Sequence, residues 1–114
     1  MPSLLQFRLG TEMGGPMSSD VPWMPLYVAE YIADTMRLTT EQHGAYLLLI
    51  MEYWMKGPLP DDDNLLCRVA RMDIDRWRSL RHIMEPFFIV KSNTWHHKRV
   101  DKEYAKMASL KTPE

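Results

Sequence analysis

The sequence predicts a mainly α, α+β fold: a winged helix-turn-helix-like domain with an extra N-terminal helix, a β-hairpin wing and a C-terminal helix. Three observations carry that expectation. A long apolar segment, Ala45 to Met55, lies between a helix start at Thr39 and a stop at Gly57-Pro58. Two short helical patterns follow, separated by a tight break at Met72-Asp73, the spacing of a helix-turn-helix. Two β-prone runs then flank a polar tip at Ser92-Asn93-Thr94, as in a hairpin.

The N-terminal stretch, residues 1–21, holds Gly10, Gly14, Gly15 and Pro16 without sustained periodicity, and is expected to be an irregular leader. Met17 could equally be the natural start. Residues 22–110 are expected to form a single domain, as a 114-residue chain suggests. From Val21 to Met36, Pro25 suits a first helical position. Leu26, Ala29, Ile32, Ala33 and Met36 recur at helical spacing and predict a core-facing stripe, with Glu30 and Asp34 on the other side.

Thr39 followed by Gln42 reads as a capping box, and Lys56 in the last turn suits the helix dipole. The segment between is apolar nearly all round, which predicts a central helix buried on several sides, between the first helix and the helix-turn-helix pair. It is too short to span a membrane, and Glu52 interrupts it.

Asp61, Asp62 and Asp63 precede Leu65, Leu66, Val69 and Ala70. A carboxylate that caps a helix while its neighbours favour the positive helix end explains them better than a metal site. Asp73 caps a second helix over Ile74 to Met84, with Ile74, Trp77 and Leu80 inward and Arg76, Arg78, Arg81 and His82 outward; Pro86 ends it. Phe87 to Lys91 and Trp95 to Val100 are the expected hairpin strands, and Val100 to Leu110 the last helix.

The net charge is −1, which argues neither for nucleic acid nor for a membrane surface. Its distribution is uneven. Residues 1–60 carry three basic and six acidic residues, whereas residues 65–100 carry eight basic and three acidic. Cys67 is the only cysteine, on an apolar helix face, which excludes an internal disulfide and fits a reducing compartment. There is no CxxC, HExxH, glycine-rich phosphate loop or serine elbow. His96 and His97 are adjacent, so on a strand they point apart. The expectation is a non-enzyme without metal, catalytic residues or cofactor, in the cytoplasm and not in a membrane.

Pro22 to Trp54, GPLPDDD at Gly57 to Asp63, RVARM at Arg68 to Met72 and WHHKRVDKE at Trp95 to Glu103 together resemble the YdaU-like family of prophage- and bacteriophage-associated domains. The resemblance spans roughly Pro22 to Ala105, and carries over no catalytic motif. It implies a likeness to the N-terminal regions of phage replication-initiation proteins. The leader lies outside the pattern, and the chain stops soon after WHHKRVDKE, where longer members continue.

The function expected first is therefore binding of double-stranded DNA. Arg76, Arg78, Arg81 and His82 would enter the major groove, Lys91, Asn93, Lys98 and Arg99 would serve the wing, and Arg68 and Arg71 would add backbone contacts. The competing expectation is a protein-interaction module, docking on a phage or host protein through Trp23, Met24, Tyr27 and Tyr31, with a homodimer through the first helix as a compatible third. A continuous positive strip from the basic helix to the hairpin favours DNA; arginines paired with carboxylates favour docking.

Overall fold

A computed structural model of the chain describes residues 22–111. The leader, residues 1–21, lies outside the described residues. The backbone runs as α1 (Val28–Asp34), α2 (Thr40–Lys56), β1 (Leu59–Pro60), α3 (Asp63–Val69), α4 (Ile74–Met84), a 3-10 turn (Glu85–Phe87), β2 (Ile89–Lys91), β3 (Thr94–His96) and α5 (Lys98–Lys111). The three strands form one antiparallel sheet in the order β1-β3-β2. The fold is mainly helical with this one small sheet.

The start of α2 is a reciprocal capping box. The Thr39 hydroxyl accepts from the Gln42 backbone N–H at 3.2 Å, and the Gln42 side-chain Oε1 accepts from the Thr39 backbone N–H at 2.9 Å. Its end is Gly57 at φ 90, where a side chain would be strained. Ala45, Tyr46, Leu49, Ile50, Tyr53 and Trp54 are buried. The α3–α4 pair packs on one side and α1 touches it through Tyr31, which bonds His43 and stacks on Tyr46. A further cover was not foreseen: α5 packs on α2 through Tyr53 to Asp101 at 2.6 Å and the rings of Trp54 and Tyr104.

Asp62 caps α3 by accepting from the Asn64 N–H, and Asp73 caps α4 by accepting from the Arg76 N–H at 2.8 Å. Between them, the Met72 N–H reaches the Cys67 carbonyl and the Arg71 N–H the Arg68 carbonyl, the double bond of a Schellman turn with Arg71 at φ 63. The hairpin turns on Ser92 and Asn93, both at positive φ, which joins Lys91 to Thr94 through a two-residue loop.

Three expectations are corrected. The first helix covers only Val28–Asp34, so Pro25 is not at its start; residues 22–27 form an irregular arm that enters the helix through an extended Tyr27. The stripe assigned to the core is the outer one: Leu26, Ile32 and Met36 are exposed, Met36 at 80%, and the inner face is Tyr31 with the buried cap residue Thr35. Finally, the second hairpin strand ends at His96. The Asp101 N–H bonds the His97 carbonyl, so Lys98, Arg99 and Val100 open α5 and do not extend the wing.

Candidate nucleic-acid interface

The basic residues singled out by sequence lie in three different environments. Arg81 is the most enclosed. Its Nη2 lies 2.8 Å from Asp61 Oδ1, its Nη1 2.8 Å from Asp63 Oδ1, and its Nε 2.5 Å from Glu85 Oε2. Its guanidinium also lies over the Trp95 ring, 5.2 Å from the centroid. The same two aspartates are held by indoles: Trp95 Nε1 donates to Asp61 at 3.0 Å and Trp77 Nε1 to Asp63 at 2.8 Å. The Trp77 indole, against the opposing effect of burial and with the help of Arg81 and Arg78, keeps the Asp63 carboxyl below its ordinary range. Burial works against the Arg81 charge, but Glu85, Asp63 and Asp61 outweigh it and hold the guanidinium above its ordinary value.

The three consecutive aspartates thus have separate duties. Asp62 caps α3, while Asp61 and Asp63 clamp Arg81 and two buried tryptophans. Among the described residues no group of His, Cys, Asp and Glu is arranged to hold a metal ion. The result fastens α4 to the hairpin. The Asp61 N–H also donates to the Asn93 carbonyl at 2.8 Å, tying the hairpin tip to the link before α3.

Arg76, Arg78 and His82 remain on the exposed side of α4, joined by Asp75 and Ser79. Arg76 grips Glu41 at the start of α2 through two of its nitrogens, yet over half of its side chain meets solvent. That hydrogen bond lowers the Glu41 carboxyl and raises the guanidinium. Arg78 sits 3.6 Å from Asp63, a loose pair with 59% of its side chain exposed. Lys91 and Asn93 are exposed at the hairpin, and Arg68 is exposed on α3. Arg71 spends its Nη1 on the carbonyls of Arg68 and Val69, closing the α3 end.

Lys98 and Arg99 belong elsewhere. Both are exposed on α5. Arg99 bonds Glu30 of α1, approaches Glu103 at 3.4 Å and lies over the Tyr27 ring, so it holds the N-terminal arm against the body. Glu30, then Glu103, hold its guanidinium above its ordinary value against burial. The structure therefore brings Arg76, Arg78 and His82 together on one helix. It withdraws Arg81 from solvent and separates Arg99 from the hairpin.

Sequence reasoning missed Ser79, whose i+3 spacing from Arg76 placed it on the same face, and the buried pair Tyr46 and His97. Tyr46 Oη lies 2.8 Å from His97 Nε2, joining α2 to the start of α5. No sequence spacing foretells a pairing between residues 51 positions apart.

No helix among the described residues is long and apolar enough to cross a membrane. No solved structure matches the chain. The chain is 40% identical over 92 residues to the uncharacterized protein YdaU of Escherichia coli (strain K12), an alignment covering 80% of this chain and 32% of that relative. It therefore spans about a third of the length of the curated relative it matches. The family model described as "Protein of unknown function (DUF1376)" matches residues 22–105, and the chain belongs to that family.

Proposed function

We propose that this chain is a non-enzymatic, phage-associated DNA-binding domain, serving replication initiation or its regulation, that works as a winged helix-turn-helix. The observation that carries the reading is the order of elements. A helix, a short strand, two helices joined by a tight turn and a hairpin follow in sequence, with β1 and β2 flanking β3. In that architecture α4 enters the major groove and the hairpin lies along the backbone. Arg78, Ser79 and His82 face solvent on α4, and Lys91 faces it at the hairpin. Arg76 is available at small cost, because exposed ion pairs contribute only about 0–1 kcal/mol and exchange readily for phosphate. The phage setting rests on the resemblance of Pro22 to Trp54 and WHHKRVDKE to the YdaU-like domains.

The contact set is accordingly Arg68, Arg76, Arg78, His82 and Lys91, with Arg81 as a structural residue. The reading is tested by fluorescence anisotropy on duplex DNA across a salt series. Each phosphate contact contributes about −0.9 to the slope of log K against log salt, so about three to four contacts give a slope near −3. Arg78→Ala and Lys91→Ala should each lower that slope by about one. Absence of salt-sensitive binding to any duplex at low ionic strength overturns the reading.

A second reading is favoured by a different observation. The carboxylate pairing of Arg76, Arg81 and Arg99 is the arrangement expected of a docking module. The arm and the outer side of α1, with Trp23, Val28, Ile32 and, in the turn after the helix, Met36 exposed, supply an apolar surface for a phage or host protein, such as a replication factor or a defence complex that it inhibits.

A further inference from the structure

Beneath the N-terminal arm lies a cavity of about 100 Å³, bounded by the arm and α1 on one side and by α2 and the first turn of α5 on the other. Leu26, Ile50 and Val100 give it an apolar wall, and Thr35, Tyr46 and His97 a polar one. The hydrogen-bond directions in that polar wall follow from one fixed donor. The backbone N–H of Val100 donates to His97 Nδ1 at 3.1 Å, so Nδ1 carries a lone pair. Burial, aided by the charge of Arg99 and opposed by Asp101, favours the neutral imidazole. Its single proton is then on Nε2, and it is donated to Tyr46 Oη at 2.8 Å.

Tyr46 consequently accepts from His97 and cannot donate to it. Its own O–H proton finds no acceptor among the described residues, although the side chain is 7% exposed and lines the cavity. A buried O–H without an acceptor is destabilising and favours whatever supplies one. The charged rim sets a second condition. Glu30 and Asp34, both exposed, outnumber Arg99, and the buried Glu103 adds a further negative charge to the lining, so the site repels anions.

We propose that this cavity binds a small uncharged molecule with a short aliphatic body and one carbonyl-type hydrogen-bond acceptor, which takes the Tyr46 O–H. Size narrows the class. A closed apolar cavity of about 150 Å³ holds benzene, so a cavity of about 100 Å³ suits three or four carbons. The site lies apart from α4 and the hairpin and goes beyond the DNA reading.

Isobutyramide is the probe, titrated into the full-length protein and followed by NMR. The expected result is saturable shifts at Tyr46, Thr35 and Val100 with a Kd of about 1–10 mM, the range of a six-heavy-atom ligand. Intermolecular NOEs should connect the probe methyls to Ile50 and Val100. Isobutyrate, of the same shape but anionic, should bind at least about tenfold more weakly. Tyr46→Phe should weaken isobutyramide by a similar factor; because it also strips His97 of its acceptor, the wild-type NOEs decide should that variant unfold. Absence of saturable shifts in the wild type, as a cavity holding water alone would give, overturns the proposal. So does isobutyrate binding as well as the amide.

Discussion

Two regions use the same residue types to opposite effect. In the unit formed by α3, α4 and the hairpin, Arg81 is three-quarters buried among Asp61, Asp63 and Glu85, and the two fully buried indoles of Trp77 and Trp95 bond those aspartates. In the arm and α1, Arg99 also faces two carboxylates and an aromatic ring, but Glu30 is 60% exposed and none of the α1 residues is buried. The first arrangement removes charge from water and repays that cost with several hydrogen bonds at once, so every member depends on the others. The second leaves Arg99 and Glu30 hydrated, with only Glu103 buried, so the Arg99–Glu30 contact is weak and separable. One region is a rigid scaffold. The other is an attached segment with its apolar side outward.

The largest break in that comparison comes from Arg81→Ala. Removing the guanidinium leaves Asp61 without its cation and Asp63 with only the loose Arg78 pair, beside two buried tryptophans. The loss should be about 2–3 kcal/mol, below the 3–5 kcal/mol of a fully buried pair because a quarter of the side chain meets solvent. Urea unfolding measures it, and near-UV circular dichroism should report the loosened Trp77 and Trp95. A loss no greater than that of Arg99→Ala, measured the same way, would erase the distinction between the two regions.

Arg81 also shows where the sequence was readable. Its helix was legible to the residue, because Asp73 supplies a cap and Pro86 forbids continuation; α2 was legible through Thr39, Gln42 and Gly57. Within α4, however, Arg76, Arg78 and Arg81 carry identical chemistry. Only the tertiary approach of Asp61 and Asp63 separates a clamped arginine from exposed ones. The i,i+4 relation to Glu85 hinted at this but fixed nothing alone. For α1, both faces carry apolar or aromatic groups, so periodicity found a stripe and could not say which way it points. Tyr31 decides it, by stacking on Tyr46 with centroids 6.0 Å apart and bonding His43 at 2.8 Å. The alternation of Trp95 to Val100 misled for a related reason. Trp95, His97 and Val100 are all buried, but the first lies in a strand that ends at His96 and the last belongs to a helix.

A smaller effect tests the seam between α2 and α5 through pH. His97 is held neutral by burial, with a pKa below its ordinary value of 6.5. A histidine lowered in the fold contributes stability that is complete above the unfolded value. That contribution is lost as pH falls through the unfolded value toward the folded one. The unfolding free energy should therefore decline between about pH 7 and pH 5, and His97→Gln should flatten part of that decline. An unchanged slope in the variant would assign the acid sensitivity to other groups.

The smallest expected effect is the most discriminating for the outer face of α1. Ile32 is 57% exposed. A truncation there forfeits little buried area, so Ile32→Ser should change stability by no more than about 0.5 kcal/mol, the range of surface positions. Leu49, fully buried on α2, sets the scale: Leu49→Ala should cost about 2–5 kcal/mol. Both values come from the same urea titrations. Were Ile32→Ser to cost more than about 1 kcal/mol, the isoleucine would have to be buried in solution. A concentration-dependent cost would then identify a second copy of the chain as its cover, since association stabilises by mass action. A cost independent of concentration would place the cover within the chain itself. With a negligible cost, the apolar face is open in the isolated protein, and its five-residue span from Val28 to Ile32 is free to meet a partner without first breaking any contact of the α3–α4 scaffold.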